Sequence, residues 1–257
     1  MKKILITNDD GFDSPGIRSL VCAFSQVAEV ILVAPIDEKS CSSHSITARR
    51  PLGVKEVEIE GIKGYAVEGT PADTVILGLD LFEHLPVEFV VSGINRGPNL
   101  GFDVFYSGTV AAAMEAAMSG VPSMAVSLVL NGYENYDVAA KVAVEVWRLF
   151  RGVLQRERKV VLNVNVPDVR KEKDLAGWSI TELGDRFYFT RVREIERNGE
   201  GWRRFVFEEE KRDLALLEQS DFQAVRNARV SITPLRPNLT DYFLHKELTH
   251  LLKEERR

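Results

Sequence analysis

Along the first 167 residues, apolar positions switch repeatedly between short continuous runs and helical spacing. Lys3 to Thr7 is a short apolar run ending in polar residues, the pattern of a strand buried in a parallel sheet. Asp13 or Ser14 then offers a helix cap with Pro15 in the first turn, and Ile17, Leu20, Val21 and Phe24 recur at helical spacing. Val30 to Ala34 predicts a second buried strand, closed by Pro35. Thr70-Pro71-Ala72-Asp73 combines a capping Thr, Pro at the first position and an acid three residues on. The helix it starts has an expected buried face of Val75, Ile76, Leu79 and Phe82. Phe89 to Ser92, Ser123 to Leu128 and Val160 to Val166 read as further strands. An Ala-rich helix from about Thr109 to Ser119 and another from Tyr136 to Phe150 lie among them. Strands alternating with helices predict an α/β fold: a mostly parallel sheet with helices on both faces.

Two stretches break the rhythm. Val54 to Val67 alternates around Gly61 and Gly64 and reads as a hairpin inserted between the second strand and the capped helix. Phe187 to Ile195 and Trp202 to Phe207 flank Asn198-Gly199-Glu200-Gly201, a strong hairpin turn. This second hairpin carries Phe187, Tyr188, Phe189, Trp202, Phe205 and Phe207, so it is apolar on both faces. Because an isolated hairpin is marginal in water, it is expected to pack on something, a second subunit being one candidate. Asp241 to Arg257 reads as an amphipathic helix with Leu244, Leu248, Leu251 and Leu252 on one side. With no internal repeat or flexible linker, the economical organisation is one domain over 1–257. Its core covers about 1–167, and an appended hairpin arm and tail cover about 178–257.

The 257 residues sit near the length, about 250–300, at which single cores stop growing. With 45% hydrophobic and 28% charged residues, the composition is that of an ordinary globular protein and argues against disorder or a coiled coil. No apolar run approaches the roughly 20 residues of a membrane span. The start, with five residues between Lys3 and the two carboxylates, is too short for a signal peptide. A net charge of -5 argues against nonspecific nucleic-acid binding. Cys22 and Cys41 cannot make a disulfide framework. These features together lead to the expectation of a soluble, cytoplasmic protein with no nucleic-acid or membrane partner.

Asn8-Asp9-Asp10-Gly11 directly follows the first strand, and in open α/β sheets ligands bind outside the carboxyl ends of the strands. Two adjacent carboxylates there repel unless a proton or cation lies between them. A hard divalent ion is the natural partner, and Gly11 lets the chain turn so that both acids face one point. The plainer role for such a pair, one acid capping the next helix and one solvated, is disfavoured by the strand-end position. The hydroxyl-rich loop Ile36 to Ser45 also leaves a strand end, although such clusters are usually turns. Ser92-Gly93-Ile94-Asn95 places an amide oxygen at a third strand end, as a neutral ligand or an Asx turn. Tyr106-Ser107-Gly108-Thr109 leads into the Ala-rich helix with the amides and hydroxyls of an anion site, which are equally those of a plain N-cap. His84 and His250 read as exposed helix positions and His245 as structural, while His44 lies in the loop that approaches the site. The glycine-rich phosphate and dinucleotide motifs, Gly-x-Ser-x-Gly and His-Glu-x-x-His are all absent, which disfavours P-loop NTPases, dehydrogenases, serine hydrolases and zinc proteases.

Taken together, Ile4-Leu5-Ile6-Thr7-Asn8-Asp9-Asp10-Gly11, Ala34-Pro35 with Ser40, Gly69-Thr70-Pro71-Ala72-Asp73, Val91-Ser92-Gly93-Ile94-Asn95 and Tyr106-Ser107-Gly108-Thr109-Val110 resemble the survival protein SurE family. Ser231-Ile232-Thr233-Pro234-Leu235, with Asp241 beyond it, fits the same family's ending. The resemblance implies a Rossmann-like core and a homodimer or homotetramer built through the C-terminal arm. It implies a phosphatase dependent on one divalent cation per subunit, Mg²⁺ or Mn²⁺. Its substrates would be nucleoside 5′- and 3′-monophosphates, with short polyphosphate cleaved by some members. It places the metal ligands at Asp9, Asp10, Ser40 and Asn95, the catalytic pair at Asp9 and Asp10, and the phosphate contacts at Asn95, Ser107, Gly108 and Thr109. His44, Asn99 and Phe102 are candidates for the substrate mouth. The chain departs from the family at Cys41-Ser42-Ser43, where many members carry Gly or Ala after the Ser, and at the bulky Phe102 and Phe105 around Asp103.

Four protein ligands in a site of about six positions leave about two, for a phosphoryl oxygen and a water. Asp9 is then the candidate base or water-orienting group, with a covalent aspartyl-phosphate route open beside direct attack by water. The rival readings are a receiver-like signalling module and a non-catalytic Mg²⁺-dependent nucleotide-binding module. A receiver needs a phosphate-accepting Asp where this chain has Ser92-Gly93-Ile94-Asn95. Dehalogenase-type phosphatases want Asp-x-Asp, whereas the acids here are adjacent.

Overall fold

A computed structural model of the chain describes residues 2–81, 87–157, 159–185, 189–197, 201–209 and 218–254. The first part builds β1 (Lys3–Thr7), α1 (Pro15–Ser25), β2 (Glu29–Pro35), the hairpin β3 (Val54–Ile59) and β4 (Ile62–Val67), α2 (Pro71–Leu81), β5 (Phe89–Arg96), α3 (Gly108–Met118), β6 (Ser123–Val129), α4 (Tyr136–Leu154) and β7 (Val161–Pro167). The second part adds β8 (Trp178–Ile180), the hairpin β9 (Phe189–Arg197) and β10 (Arg203–Glu209), α5 (Asp221–Arg226), β11 (Val230–Leu235) and α6 (Tyr242–Glu254). Nine strands form one sheet in the order β3-β4-β2-β1-β5-β6-β7-β11-β8. From β4 to β7 all neighbours run parallel, while β3 and β11 are antiparallel to β4 and β7.

The continuous apolar runs become central strands because both of their faces are covered. Ile4 and Ile6 of β1 pack with α1 and α4 through Ile17, Leu20, Phe24 and Trp147, the last two rings meeting edge to face at 6.0 Å. Leu5, Val33 and Val90 face the opposite side, against Val75 of α2 and Ala112 and Ala116 of α3. The small alanines of α3 let its backbone lie close to the sheet.

Several details differ from expectation. In α2 the buried residues are Pro71, Ala72, Asp73, Thr74, Val75 and Gly78; Ile76 is exposed and Leu79 half-buried, because the helix meets the sheet through its small residues. Phe82 and His84 lie outside the described residues. The β3–β4 hairpin extends the main sheet, since β4 pairs with β2. The sheet also continues past residue 167: β11 and β8 join it beyond β7, and these strands and α5 had no clear periodic signal in so few residues.

The second hairpin forms its own two-stranded sheet. Phe187, Tyr188 and the turn at 198–200 lie outside the described residues. Trp202, Phe205 and Phe207 are exposed, as are Leu244, Leu248, Leu251 and Leu252 of α6. Among the described residues no helix is long and apolar enough to cross a membrane.

Candidate active site

The chain leaves β1 to pair it with β2 on one side and β5 on the other. The strand order therefore reverses between β1 and β5, and a crevice opens outside their carboxyl ends. Asp9 and Asp10 stand at the mouth of β1, Asn95 near the end of β5, and Gly11 turns the chain away with φ of +97°. The crevice has a volume of about 390 Å³, and its lining includes Asp10, Ser14, Glu38, Arg96 and Tyr136.

Asp9 is buried and held by the start of α3. Its Oδ2 accepts the Thr109 N–H at 3.0 Å and its Oδ1 accepts the Thr109 hydroxyl. Each carboxylate oxygen has room for a further partner after these bonds. Gly108 sits against this carboxylate so tightly that a Cβ there would lie 2.7 Å from Ser42 Oγ and 2.9 Å from Asp9 Cβ. Asp10 is half-buried and accepts the Arg96 N–H at 3.2 Å. Burial pushes the Asp9 carboxyl above its ordinary 3.8, against the opposing hydrogen bonds from Thr109. Burial and then the negative charge of Asp9 push Asp10 up to about 7. The guanidinium of Arg96 lies 2.8 Å from Glu134.

The loop after β2 closes over the pair. Lys39 N–H donates to Asp9 O at 2.7 Å, and Ser43 ties the loop to the far side through Tyr106 O at 3.0 Å and Phe105 O at 2.6 Å. Asp73 fixes the rest of this loop, accepting the Thr47 N–H at 2.8 Å and its hydroxyl at 2.6 Å while completing the predicted capping box with Thr70. Burial raises the Asp73 carboxyl, but these donors outweigh it and hold it below 3.8.

Not every expected residue points where the sequence suggested. Ser14 occupies the N-cap of α1, but its hydroxyl accepts the Asn8 amide at 2.8 Å instead of capping the helix. Ser40 is exposed and its hydroxyl donates to Glu38. Asn95 uses Nδ2 in a turn onto Gly97 O at 2.9 Å, which directs its amide nitrogen into its own loop. Ser107 caps α3, accepting the Val110 N–H at 3.1 Å. Asn99 is not at the mouth. It is 6% exposed and its amide donates to Ser127 at 2.7 Å, because buried polar groups on β6 and β7 draw it inward. His44 pairs with Glu115 at 2.8 Å and lines a separate groove of about 220 Å³ along α3, with Phe105 and Met114 among its walls. Phe102 is half-buried and stacks on Phe105 with ring centroids 6.3 Å apart.

Sequence reasoning missed Glu38 and the amide of Arg96, both in the crevice wall. Their signal was adjacency: Glu38 stands two residues before Ser40, and Arg96 immediately follows Asn95.

The orphaned side-chain atoms of the neighbourhood are Asn8 Oδ1 and Ser42 Oγ, both buried and without a hydrogen-bond partner. Two adjacent acids pushed upward by burial, Asp10 further by the charge of Asp9, stand beside neutral oxygens and suit a hard divalent cation of the Mg²⁺ class, which binds through one or two carboxylates and keeps several waters. Among the described residues no group of three or more His, Cys, Asp or Glu side chains gathers to hold a metal ion, so a cation here would rest on the two acids and neutral oxygens.

Residues 4–190 match the family model described as "Survival protein SurE". A protein of Clostridium beijerinckii named "5'-nucleotidase SurE" is 39% identical over 256 residues, covering 98% of this chain and 99% of the relative. One of the same name from Geobacter sulfurreducens is 45% identical over 248 residues, covering 93% and 89%. The crystal structure of the SurE protein from Aquifex aeolicus superposes with a TM-score of 0.81 at 34% identity, covering 97% of this chain and 99% of that one.

Proposed function

The chain belongs to the survival protein SurE family, and from that premise and the acid pair at the strand-order reversal we propose that it is a 5′-nucleotidase. It would hydrolyse nucleoside 5′-monophosphates to nucleoside and phosphate, with one divalent cation, Mg²⁺ or Mn²⁺, at Asp9 and Asp10. Activity on 3′-monophosphates and on short polyphosphate belongs to the same proposal, since a site built around the phosphoryl group alone tolerates several leaving groups. The observation that carries it is the adjacency of two carboxylates, Asp9 buried and Asp10 half-buried, to the start of α3, where Thr109 binds Asp9.

In this reading, Asp9, Asp10, Ser40 and Asn95 supply the oxygens of the cation site. A cation held there would supply polarisation of the phosphoryl group and a lowered pKa for a bound water. Thr109 fixes the Asp9 carboxylate, so Asp9 needs no reorientation during turnover. Asp10 lines the open crevice and is the better placed of the two acids to orient the attacking water. Gly108 lets the helix start approach closely, and its amide would serve the equatorial phosphoryl oxygens, where charge persists in the transition state. Attack by water forms a new phosphorus–oxygen bond and breaks the one to the ester oxygen; the water releases one proton to solvent and the leaving oxygen takes one up, giving nucleoside and hydrogen phosphate.

We also assign the exposed aromatic residues of β10 and the leucine face of α6 to a homodimer or homotetramer, because exposed apolar surface of this extent marks an interaction site. Phosphate release from 5′-AMP, 3′-AMP and tripolyphosphate, each with Mg²⁺, Mn²⁺ or EDTA, tests the activity. The proposal expects metal-dependent release from 5′-AMP. No release under any condition would leave the non-catalytic nucleotide-binding reading in its place.

A further inference from the structure

The segment from Arg96 to Ser107 joins two parts of the site, with Asn95 before it and the Ser107–Thr109 turn after it. Polar groups fix its middle. Asn99 N–H donates to Asn165 Oδ1 at 2.8 Å, and Asn99 O accepts the amides of Asn163 at 2.8 Å and Asn165 at 3.0 Å. Two residues on, the Gly101 N–H donates to Asp221 Oδ2 at 2.7 Å.

Asp221 is 0% exposed, and its other oxygen accepts Phe222 N–H at 2.8 Å and Gly184 N–H at 3.0 Å. Gly184 precedes β9 and Asp221 follows β10, so the two stand at the root of the hairpin arm. Glu182 and residues 219–221 pair there, with Glu182 N–H on Gln219 O at 3.0 Å and Asp221 N–H on Glu182 O at 2.9 Å. The approach is too close for a side chain on the crevice loop. Gly101 has φ of +52°, and a Cβ on it would lie 2.3 Å from Gly184 O. A buried carboxylate is a costly way to join two loops, and nothing in the proposed chemistry uses this one directly.

We propose that Asp221 is a positioning residue for the phosphoryl site. It ties the crevice loop to the root of the arm, and so holds Asn95 and the Ser107–Thr109 turn at the spacing a phosphoryl group requires. The inference rests on the phosphatase reading above.

Asp221→Asn separates this role from a general structural one. The amide keeps its carbonyl on the two donors at Gly184 and Phe222, and turns its NH₂ group towards the Gly101 N–H. The arm root stays clamped while the tie to the crevice loop is cut. The expected result is a folded protein by circular dichroism, with faster amide exchange at 99–107 and unchanged protection at 182–185. KM for 5′-AMP and the dissociation constant of inorganic phosphate by calorimetry both rise about tenfold, the effect of one lost buried hydrogen bond, while kcat changes less. Gly101→Ala, which pushes the loop away with Asp221 intact, should share this signature, and it supplies the test if Asp221→Asn does not fold. Val146→Ala in α4 lowers stability without moving KM. Unchanged exchange at 99–107 overturns the proposal whatever the kinetics. Faster exchange with both constants close to wild type also overturns it, leaving Asp221 a structural tie. If the wild-type protein releases no phosphate from AMP, the phosphatase reading fails, whereas exchange and phosphate calorimetry still decide the role of Asp221.

Discussion

Replacing Asp10 by Asn should stabilise the metal-free protein at neutral pH while destroying its proposed activity. The Asp10 carboxyl is pushed from 3.8 to about 7, first by burial and second by the charge of Asp9. A raised acid keeps its proton in the folded state while the unfolded chain has released it, so wild-type stability falls as pH rises from about 4 to about 7. At about 1.4 kcal/mol per pH unit the shift converts to about 4 kcal/mol, and the solvent contact that Asp10 keeps trims this to about 2–3 kcal/mol. The Asn variant has no proton to lose and should not show this decline. Urea midpoints measured in EDTA from pH 4.5 to 8.5 would therefore diverge. The stability difference should shift in favour of the variant by about 2–3 kcal/mol over that range. Excess Mn²⁺ should reverse the order at pH 8, because the cation stabilises only a site that holds it. Parallel pH profiles for the two proteins in EDTA would show that the acids are not strained, and the charge argument for a cation would fall.

The remaining predictions concern other parts of the architecture. Thr109→Ala removes the hydroxyl from Asp9 Oδ1 and should lower kcat for AMP about tenfold or more with the fold intact; an unchanged kcat in steady-state assays would deny Thr109 its role. Gly108→Ala places a Cβ 2.7 Å from Ser42 Oγ and should weaken phosphate binding by calorimetry, whereas wild-type affinity would show that the turn does not approach the anion. Asp168 accepts four backbone N–H groups, from Asn131, Tyr133, Glu134 and Asn135. Burial raises its carboxyl, but those donors win and hold it below 3.8, so its contribution is present above pH 4 and lost as pH falls through that lower value. Asp168→Asn should cost about 1–3 kcal/mol at pH 7 in urea unfolding, with a smaller loss in acid, and an equal loss at both pH values would contradict this. Trp147→Ala empties the edge-to-face contact between α1 and α4 and should cost about 3–5 kcal/mol by the same method.

How much was legible in the sequence depended on what kind of interaction fixed each part. The central strands were readable because burial on two faces demands continuous apolar runs, and Ile4 to Thr7 or Val90 to Ser92 have few other uses, whereas α1 and α4 were readable because one buried face repeats at helical spacing. The α2 face misled because Gly78 and Thr74 pack where Ile76 was expected, and small residues carry no periodic signal. β8 has three residues and α5 six, too few for a period to register. In the site, Asp9 meets the α3 start through Thr109, and Asp10 meets the amide of Arg96, the neighbour of Asn95. The sequence could not show which hydrogen bonds each side chain would choose. Ser107 and Asn95 carried both a functional and a plain local reading, and in this structure each makes the plain contact. Asn99 lay beyond reach of pattern because its partners, Ser127, Asn163 and Asn165, are 28 to 66 residues distant in the chain.

Calorimetric titration of EDTA-stripped protein with Mn²⁺, wild type beside Asp10→Asn, decides whether the acid pair holds a cation. The account predicts one ion per chain for the wild type, with proton release near neutral pH as Asp10 gives up its proton, and loss of that binding in the variant. Equal Mn²⁺ affinity in the two proteins, or no binding by either, would contradict it.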